Sequence, residues 1–128
     1  MKAPTVVLDA GALIGIERGD PLARQYVLLA AKGAIAIATS SGVMAQVWRG
    51  GARQARLGRL LRSDVLEELA LDAFASRRIG TLAATMGAKD VVDGHVALIA
   101  ADRAAIVVTS DPDDLAAWGV SPERLVAC

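Results

Sequence analysis

Residues 5–14 read Thr-Val-Val-Leu-Asp-Ala-Gly-Ala-Leu-Ile, a short apolar run that ends in an acid and passes at once into a helical pattern. The apolar run predicts a strand over Thr5–Asp9, and the small and aliphatic residues that follow predict a helix over Ala10–Arg18. A strand that is apolar along its whole length is typical of a parallel sheet, which is buried under helices on both faces. This segment therefore favours an α/β fold with Asp9 at the carboxyl end of a strand.

The rest of the chain repeats this alternation of strands and helices. Further strands are predicted over Ala34–Thr39, Val65–Leu71, Ala105–Thr109 and Arg124–Ala127. Further helices are predicted over Pro21–Lys32, Ser40–Arg49, Ala52–Leu61, Asp72–Met86 and Asp90–Ala101, and from Pro112 to about Trp118. The order of elements predicts one domain over residues 1–128, with a mostly parallel central sheet flanked by helices on both faces.

The composition narrows the classes of protein that the chain can belong to. Its 128 residues are 54% hydrophobic, carry a formal net charge of zero and include only one cysteine, at position 128. The chain is long enough for a single core, and its balanced charge excludes a polycation that coats nucleic acid. No apolar run reaches the roughly 18 residues that span a bilayer, and the first residues do not resemble a secretion signal. We therefore expect a cytoplasmic protein without a membrane segment.

The acids Asp9, Asp93 and Asp111 are the strongest candidates for chemistry. Asp9 and Asp111 follow apolar runs that predict strands, and the carboxyl ends of parallel strands meet at one edge of a sheet. Asp93 lies near the start of a predicted helix, with Asp90 three residues earlier on the same helical face. Each acid alone is best explained as a helix cap or a turn residue, but their joint placement predicts a carboxylate site for Mg²⁺ or Mn²⁺. Such ions assist the cleavage of phosphodiesters.

Three motifs of the chain resemble the PIN domain, and specifically the VapC-type toxins of bacterial toxin–antitoxin pairs. The motifs are Val6-Val7-Leu8-Asp9-Ala10-Gly11-Ala12-Leu13-Ile14, Asp90-Val91-Val92-Asp93-Gly94-His95-Val96-Ala97 and Val107-Val108-Thr109-Ser110-Asp111-Pro112-Asp113-Asp114-Leu115. The resemblance covers almost the whole chain and implies a metal-dependent endoribonuclease. It implies that Asp9, Asp93 and Asp111 are catalytic metal ligands, with Asp90 and Asp113 or Asp114 nearby. It also implies an RNA substrate, a VapB-type antitoxin as partner and a homodimer.

The chain departs from the family pattern at Gln46. The family has a glutamate on the helix after the second strand, and the matching stretch here offers Gln46 instead. An amide oxygen can coordinate a cation or position a water, but the loss of one negative charge should weaken cation binding. Asp90 is our hypothesis for the replacement carboxylate. The substitution also keeps open a catalytically weakened PIN domain that binds RNA or its antitoxin without cutting.

A third class, an aspartyl phosphotransferase with Asp9 as nucleophile, fits less well, because such sites normally have a second acid two residues on, where this chain has Gly11. His95, the only histidine, lies two residues after Asp93, so we expect it to point away from the acids and to serve in packing. Trp48 and Trp118 are interpreted as core or interface residues rather than as platforms for nucleobases.

The segment between Arg49 and Arg62 carries five arginines and no acid. Arg49, Arg53 and Arg56 would share one face if a helix continued across Gly50 and Gly51, and that face could bind RNA phosphates. A solvated helix face explains any single arginine about equally well.

Overall fold

A central sheet of five parallel strands organises the computed structural model, which describes residues 2–128. The strands are β1 (Thr5–Leu8), β2 (Ala36–Ser40), β3 (Leu66–Leu69), β4 (Ile106–Thr109) and β5 (Leu125–Ala127). They lie in the order β3-β2-β1-β4-β5, and every neighbouring pair is parallel. The predicted α/β fold is confirmed, and within the described residues the sheet is wholly parallel rather than mostly so.

Helices connect the strands, as a parallel sheet requires. They are α1 (Ala10–Arg18), α2 (Pro21–Ala31), α3 (Ser41–Val47), α4 (Ala55–Arg62), α5 (Ala73–Met86), α6 (Val91–Arg103) and α7 (Pro112–Ala116). Short 3₁₀ turns over Ala52–Gln54 and Pro122–Arg124 precede α4 and β5. Gly19 and Gly87 end α1 and α5 in the left-handed conformation, which glycine adopts without a steric penalty.

The strand order reverses direction at the centre of the sheet. From β1 the chain adds β2 and then β3 on one side, whereas β4 and β5 lie on the other side. In open parallel sheets, ligands bind outside the carboxyl ends of the strands at such a point. Leu8 is paired with Val108 in this register, so the residues that follow β1 and β4 emerge side by side.

The core consists of the central strands and the apolar faces of the helices. Val7, Leu8 and Val107 have no exposed surface, and Trp118 is 3% exposed within the same cluster. Each fully buried aliphatic side chain stabilises the fold by about 1.5–3 kcal/mol relative to an exposed one. The strand ends that carry the acids are therefore fixed by the best-packed part of the molecule.

The predicted interruption between the helices over Ser40–Arg49 and Ala52–Leu61 is confirmed, but the first helix ends two residues earlier than predicted. Helix α3 ends at Val47, and the backbone then passes through Gly50 at φ 69° and Gly51 at φ 150° before α4 begins at Ala55. Side chains with a Cβ rarely adopt these angles, so the glycine pair breaks the helix instead of bridging it. The condition for placing Arg49, Arg53 and Arg56 on one helical face is not met.

Candidate active site

Asp9 is the buried acid of the site. It stands between β1 and α1 with 6% of its surface exposed, and its backbone N–H donates to the carbonyl of Val108 at 3.0 Å. The Thr109 hydroxyl donates to Oδ2 of Asp9 at 2.7 Å and accepts the backbone N–H of Asp111 at 2.9 Å. One buried hydroxyl therefore orients the Asp9 carboxylate and fixes the turn that carries Asp111.

Asp111 lies at the turn between β4 and α7. Its side chain is exposed and makes no capping hydrogen bond to α7, so its carboxylate is not committed to a structural role. Asp113 and Asp114 follow in the first turn of α7, and both are exposed. The Asp-Pro-Asp-Asp segment thus presents three acids beside the end of β4.

Asp93 and Asp90 begin helix α6. Oδ1 of Asp90 accepts the backbone N–H groups of Val92 and Asp93 at 3.0 and 3.1 Å, so Asp90 is the N-cap of this helix. Asp93 lies one turn later, is partly buried and does not cap the helix.

The electrostatics of Asp93 show which acids share the site. Burial raises the pKa of Asp93 to about 6, together with the negative charges of Asp90, Asp9, Asp114 and Asp111, whose effects decrease in that order. Carboxylates repel one another in this way only when they lie close together. Carboxylates from three separate segments of the chain therefore lie close together around Asp93. Asp113 contributes no such effect.

Gln46 lies on α3, the helix that follows β2. Its side chain is exposed, and within the described residues it makes no hydrogen bond. Helix α3 starts at the carboxyl end of β2, which is the edge of the sheet that carries the acids. No contact within the described residues places the Gln46 amide among those acids.

A buried polar pair, Ser40 and His95, lies between α6 and the start of α3 and was not predicted as a pair. Ser40 Oγ and His95 Nδ1 are 2.6 Å apart, and Ser40 Oγ also accepts the backbone N–H of Gly42 at 3.0 Å. The Ser40 hydroxyl can donate to Nδ1 or accept from it, so this contact satisfies one ring nitrogen of His95 in either neutral tautomer. Burial lowers the pKa of His95, against an opposing effect of Asp72. The prediction of a packing histidine is confirmed, since His95 is buried and joins these two helices.

Gly11 allows α1 to approach the end of β4 closely. A Cβ at this position would stand 2.5 Å from the Ser110 Oγ and 3.0 Å from the Cys128 Sγ. No acid can occupy position 11 without displacing these atoms, so the geometry does not suit a phosphotransferase with a second acid there. The same contact brings Cys128 beside the site, where burial and the charges of Asp9, Asp111 and Asp20 raise the pKa of its thiol.

The acids fit a divalent cation by their chemistry. In residues 2–128 no three acidic, histidine or cysteine side chains converge on one point as a complete protein cage. Mg²⁺ is commonly held by one or two carboxylates, with waters and substrate phosphates completing its shell. A cation would neutralise the buried, oriented carboxylate of Asp9. It would also relieve the repulsion among the carboxylates around Asp93.

The five arginines from Arg49 to Arg62 lie on the turn after α3 and on α4, and Gln54 holds that turn together. The buried Gln54 amide oxygen accepts the N–H groups of Arg49 and Gly50 at 2.8 and 3.0 Å, and its nitrogen donates to Glu17 Oε1 and the Val47 carbonyl at 2.6 and 2.8 Å. The five arginines between 49 and 62 are exposed. No local sequence pattern indicated that Gln54 would be the residue that shapes this turn.

Comparisons with known proteins agree with this geometry. The family model described as "PIN domain" matches residues 6–118. Among solved structures, the chain is similar to VapBC2 from Rickettsia felis, solved bound to a DNA fragment from its promoter, with 19% identity, a TM-score of 0.59 and coverage of 97% of both chains. It is also similar to FitAcB from Neisseria gonorrhoeae, with 20% identity, a TM-score of 0.54 and coverage of 94% of this chain and 96% of that one.

A structure of FitAB bound to an IR36 DNA fragment gives 18% identity and a TM-score of 0.57, with 95% of this chain and 94% of that one covered. A sequence comparison with curated proteins gives no match. At these identities the structural likeness shows the fold, and the family match accounts for most of the chain.

Proposed function

Because this chain belongs to the PIN domain family, we propose that it is a divalent-cation-dependent endoribonuclease and the toxin of a toxin–antitoxin pair. The activity is supported most strongly by the clustering of acids at the strand ends: burial first, and then the charges of Asp90, Asp9, Asp114 and Asp111, raise the pKa of Asp93. A site of this charge attracts a cation and, through the cation, a phosphodiester.

The roles of the acids follow from their surroundings. Asp9, Asp93 and Asp111 would hold the cation, Mg²⁺ or Mn²⁺, together with water and substrate oxygens, and Asp90, whose Oδ1 caps α6, would add a further carboxylate. Asp114 adds negative charge near the site, whereas Asp113 and Gln46 would lie at the edge of the site. When bound, the ion activates a water and neutralises charge that develops on the phosphate. The chain's own part is to keep Asp9 oriented through Thr109. Asp93, whose pKa is raised to about 6 by burial and by the neighbouring carboxylates, is ionised only above that pH.

The substrate would be held on the arginine surface. Arg49, Arg53 and Arg56 are exposed, and they would bind RNA phosphates as separate contacts along the turn and α4 rather than as one helical face. None of the helices in residues 2–128 combines the length and apolar character that crossing a bilayer requires. We place the activity in the cytoplasm, where RNA is available.

A groove between α1, α2 and α4 is the proposed seat of a VapB-type antitoxin. It has a volume of about 570 Å³, an apolar floor that includes Ile16 and Leu60, and a rim with Arg24 and Arg59. An amphipathic helix laid into such a groove buries its apolar face on the floor. Two copies of the chain are also part of the proposal. The sedimentation mass of the purified chain tests that pairing.

The second candidate function is a PIN domain that binds RNA or its antitoxin without cutting. Gln46 favours it, because an exposed amide supplies no charge where the family has a carboxylate. The two candidates differ in a single observable, the chemical cleavage of RNA.

The test is incubation of the purified chain with a pool of structured RNAs in Mg²⁺, Mn²⁺ or EDTA. Asp9→Asn and Asp93→Asn remove the proposed ligands, and Asp64→Asn is the matched control because Asp64 is an exposed acid between α4 and β3. The proposal expects cleavage with either cation, none in EDTA, and loss in the two site variants only. Intact RNA under every condition with folded protein would support the binding module instead.

Growth of a bacterial host tests the toxin role. Induction of the wild-type chain should arrest growth, and induction of Asp93→Asn at equal protein levels should not. Equal growth of both cultures would contradict a toxin that acts through this site.

A further inference from the structure

Trp48 is the exposed tryptophan of the chain. Its side chain is 40% exposed, whereas Trp118 is 3% exposed within the core. The sequence predicts a core or interface position for both tryptophans, and a core position is confirmed for Trp118. A tryptophan at the surface presents both a flat apolar face and a polar N–H to a binding partner.

Gly50 and Gly58 lie beside the indole of Trp48. A Cβ at Gly50 would stand 3.7 Å from its Nε1, and a Cβ at Gly58 would stand 3.8 Å from its Cη2. Backbone without side chains therefore lies against one part of the ring, and no side chain of these two residues covers the rest. The indole forms a flat shelf between the turn after α3 and helix α4.

Positive charges flank the shelf. Nη1 of Arg62 lies 3.3 Å from the same Gly58 Cβ position that the indole approaches. Nη1 of Arg49 donates to the Trp48 carbonyl at 2.8 Å and to the Ala45 carbonyl at 3.2 Å, which fixes this guanidinium at the end of α3.

No acid of the same segment neutralises these arginines. The stretch from 49 to 62 contains no Asp or Glu, and the side-chain ion pairs among residues 2–128 are Arg78–Asp102 and Arg103–Glu67. The shelf is thus an exposed aromatic ring in a basic surface, which is the combination that proteins use for single-stranded nucleic acids.

We infer that the indole of Trp48 stacks on one unpaired nucleobase of single-stranded RNA, with Arg49 and Arg62 at the neighbouring phosphates. The inference rests on the proposed function for the nature of the polymer, and it adds the class of substrate: a strand with free bases. A base inside a duplex has no free face to offer the ring. A protein partner would bury the indole as well, but the guanidinium groups of Arg49 and Arg62 beside it, neither of which has a carboxylate partner among the described residues, favour a polyanion.

The position of Trp48 suits this role. Helix α3 starts at the acidic strand edge and Trp48 follows its last residue, Val47. Seven helical residues span about 10 Å. One strand of RNA can therefore reach from the shelf to the acids.

The experiment measures binding of a labelled hexa-adenylate by fluorescence anisotropy in EDTA, where cleavage does not occur. Trp48→Ala should weaken binding about 5- to 150-fold, the range that base–aromatic stacking produces. Trp48→Phe should retain much of the affinity, because an aromatic face remains. Arg77→Ala, which removes an exposed arginine on α5, is the control and should bind like the wild type.

Further measurements distinguish base stacking from binding through phosphates alone and from a role of Trp48 in dimerisation. A hexameric sugar–phosphate chain without bases should bind wild type and Trp48→Ala equally. In the Trp118→Phe variant, which keeps Trp48 as its one tryptophan, hexa-adenylate should quench the intrinsic fluorescence with saturation. The sedimentation mass without RNA should be the same for wild type and Trp48→Ala.

Equal affinity of wild type and Trp48→Ala for hexa-adenylate would overturn the inference, and so would absence of binding by the wild type. A lower mass of Trp48→Ala would also overturn it, because the ring would then belong to an interface between copies. These failures are distinct from failure of the proposed nuclease, which is judged by cleavage in Mg²⁺ or Mn²⁺.

Discussion

Thr109 Oγ1 donates a 2.7 Å hydrogen bond to Oδ2 of Asp9, a residue 100 positions earlier in the chain. The same oxygen accepts the N–H of Asp111, so a single hydroxyl links the ends of the two central strands. Removal of the hydroxyl in Thr109→Val should lower the free energy of unfolding by about 1–3 kcal/mol, because a buried carboxylate oxygen and an N–H lose their partner. It should also weaken Mn²⁺ binding, since Asp9 is no longer oriented.

Urea denaturation and isothermal titration with Mn²⁺ measure the two effects. Thr109→Ser is the control, because it keeps the hydroxyl and should stay close to wild type in cation affinity. Wild-type Mn²⁺ binding by Thr109→Val would show that the hydrogen bond does not serve the site.

Gln46→Glu tests whether α3 contributes to the acidic site. The added carboxylate should tighten Mn²⁺ binding about tenfold, or ~1.4 kcal/mol, which is modest for a charge near a surface cation. Stability should change little, because the Gln46 side chain is exposed. Gln25→Glu on α2 adds the same charge at another exposed position and controls for net charge. An identical response of the two variants would place Gln46 outside the site.

The stability of the cation-free protein should fall as pH rises from about 4 to about 6. In this window folded Asp93, with its pKa raised to about 6, keeps a proton that the unfolded chain releases near the ordinary value of 3.8. A native state that binds more protons than the unfolded state loses stability with rising pH. The stabilisation is therefore complete below about pH 4 and lost above about pH 6.

Thermal melting in EDTA from pH 4 to 8 measures this dependence. Asp93→Asn should flatten the curve, and Mn²⁺ should restore stability to the wild type at the upper end of the range, where the carboxylate is ionised. A wild-type curve that matches that of Asp93→Asn at every pH would rule out the raised pKa.

Gln54→Glu should destabilise the fold although it is nearly isosteric. The buried amide nitrogen donates to Glu17 Oε1 and to the Val47 carbonyl, and a carboxylate would present an acceptor to both. We expect a loss of about 2–4 kcal/mol in the free energy of unfolding, from lost bonds and uncompensated buried charge. Urea denaturation is the measurement. Gln25→Glu again serves as the exposed control, and equal midpoints for the two variants would contradict the role of Gln54.

Most strands were predictable because they are short apolar runs between polar segments, whereas β3 is interrupted by Glu67 and Glu68. Asp9 and Asp111 could be placed at strand ends on this basis, and the helix start at Asp90 followed from its capping pattern. The gathering of Asp9, Asp111 and Asp114 around Asp93 depends on the strand order, which no local pattern specifies.

Other features of the structure could not be predicted from local sequence patterns. A hydroxyl at a strand end, such as Thr109 or Ser40, looks the same in sequence whether it binds water or a buried carboxylate. The break at the glycine pair after Arg49 was predictable, but the end of α3 at Val47 was not. The exposure of Trp48 depends on how α3 and α4 meet, and hydrophobicity alone predicted burial.

The central claim is that the cation held by Asp9, Asp93 and Asp111 is the one required to cut RNA. The most direct measurement follows Mn²⁺ binding and RNA cleavage on the same preparations of wild type, Asp9→Asn, Asp93→Asn and the control Asp64→Asn. The account predicts that both properties are lost together in the two site variants and kept in the control. Cleavage that survives in Asp9→Asn and Asp93→Asn, or that proceeds in EDTA, would contradict it.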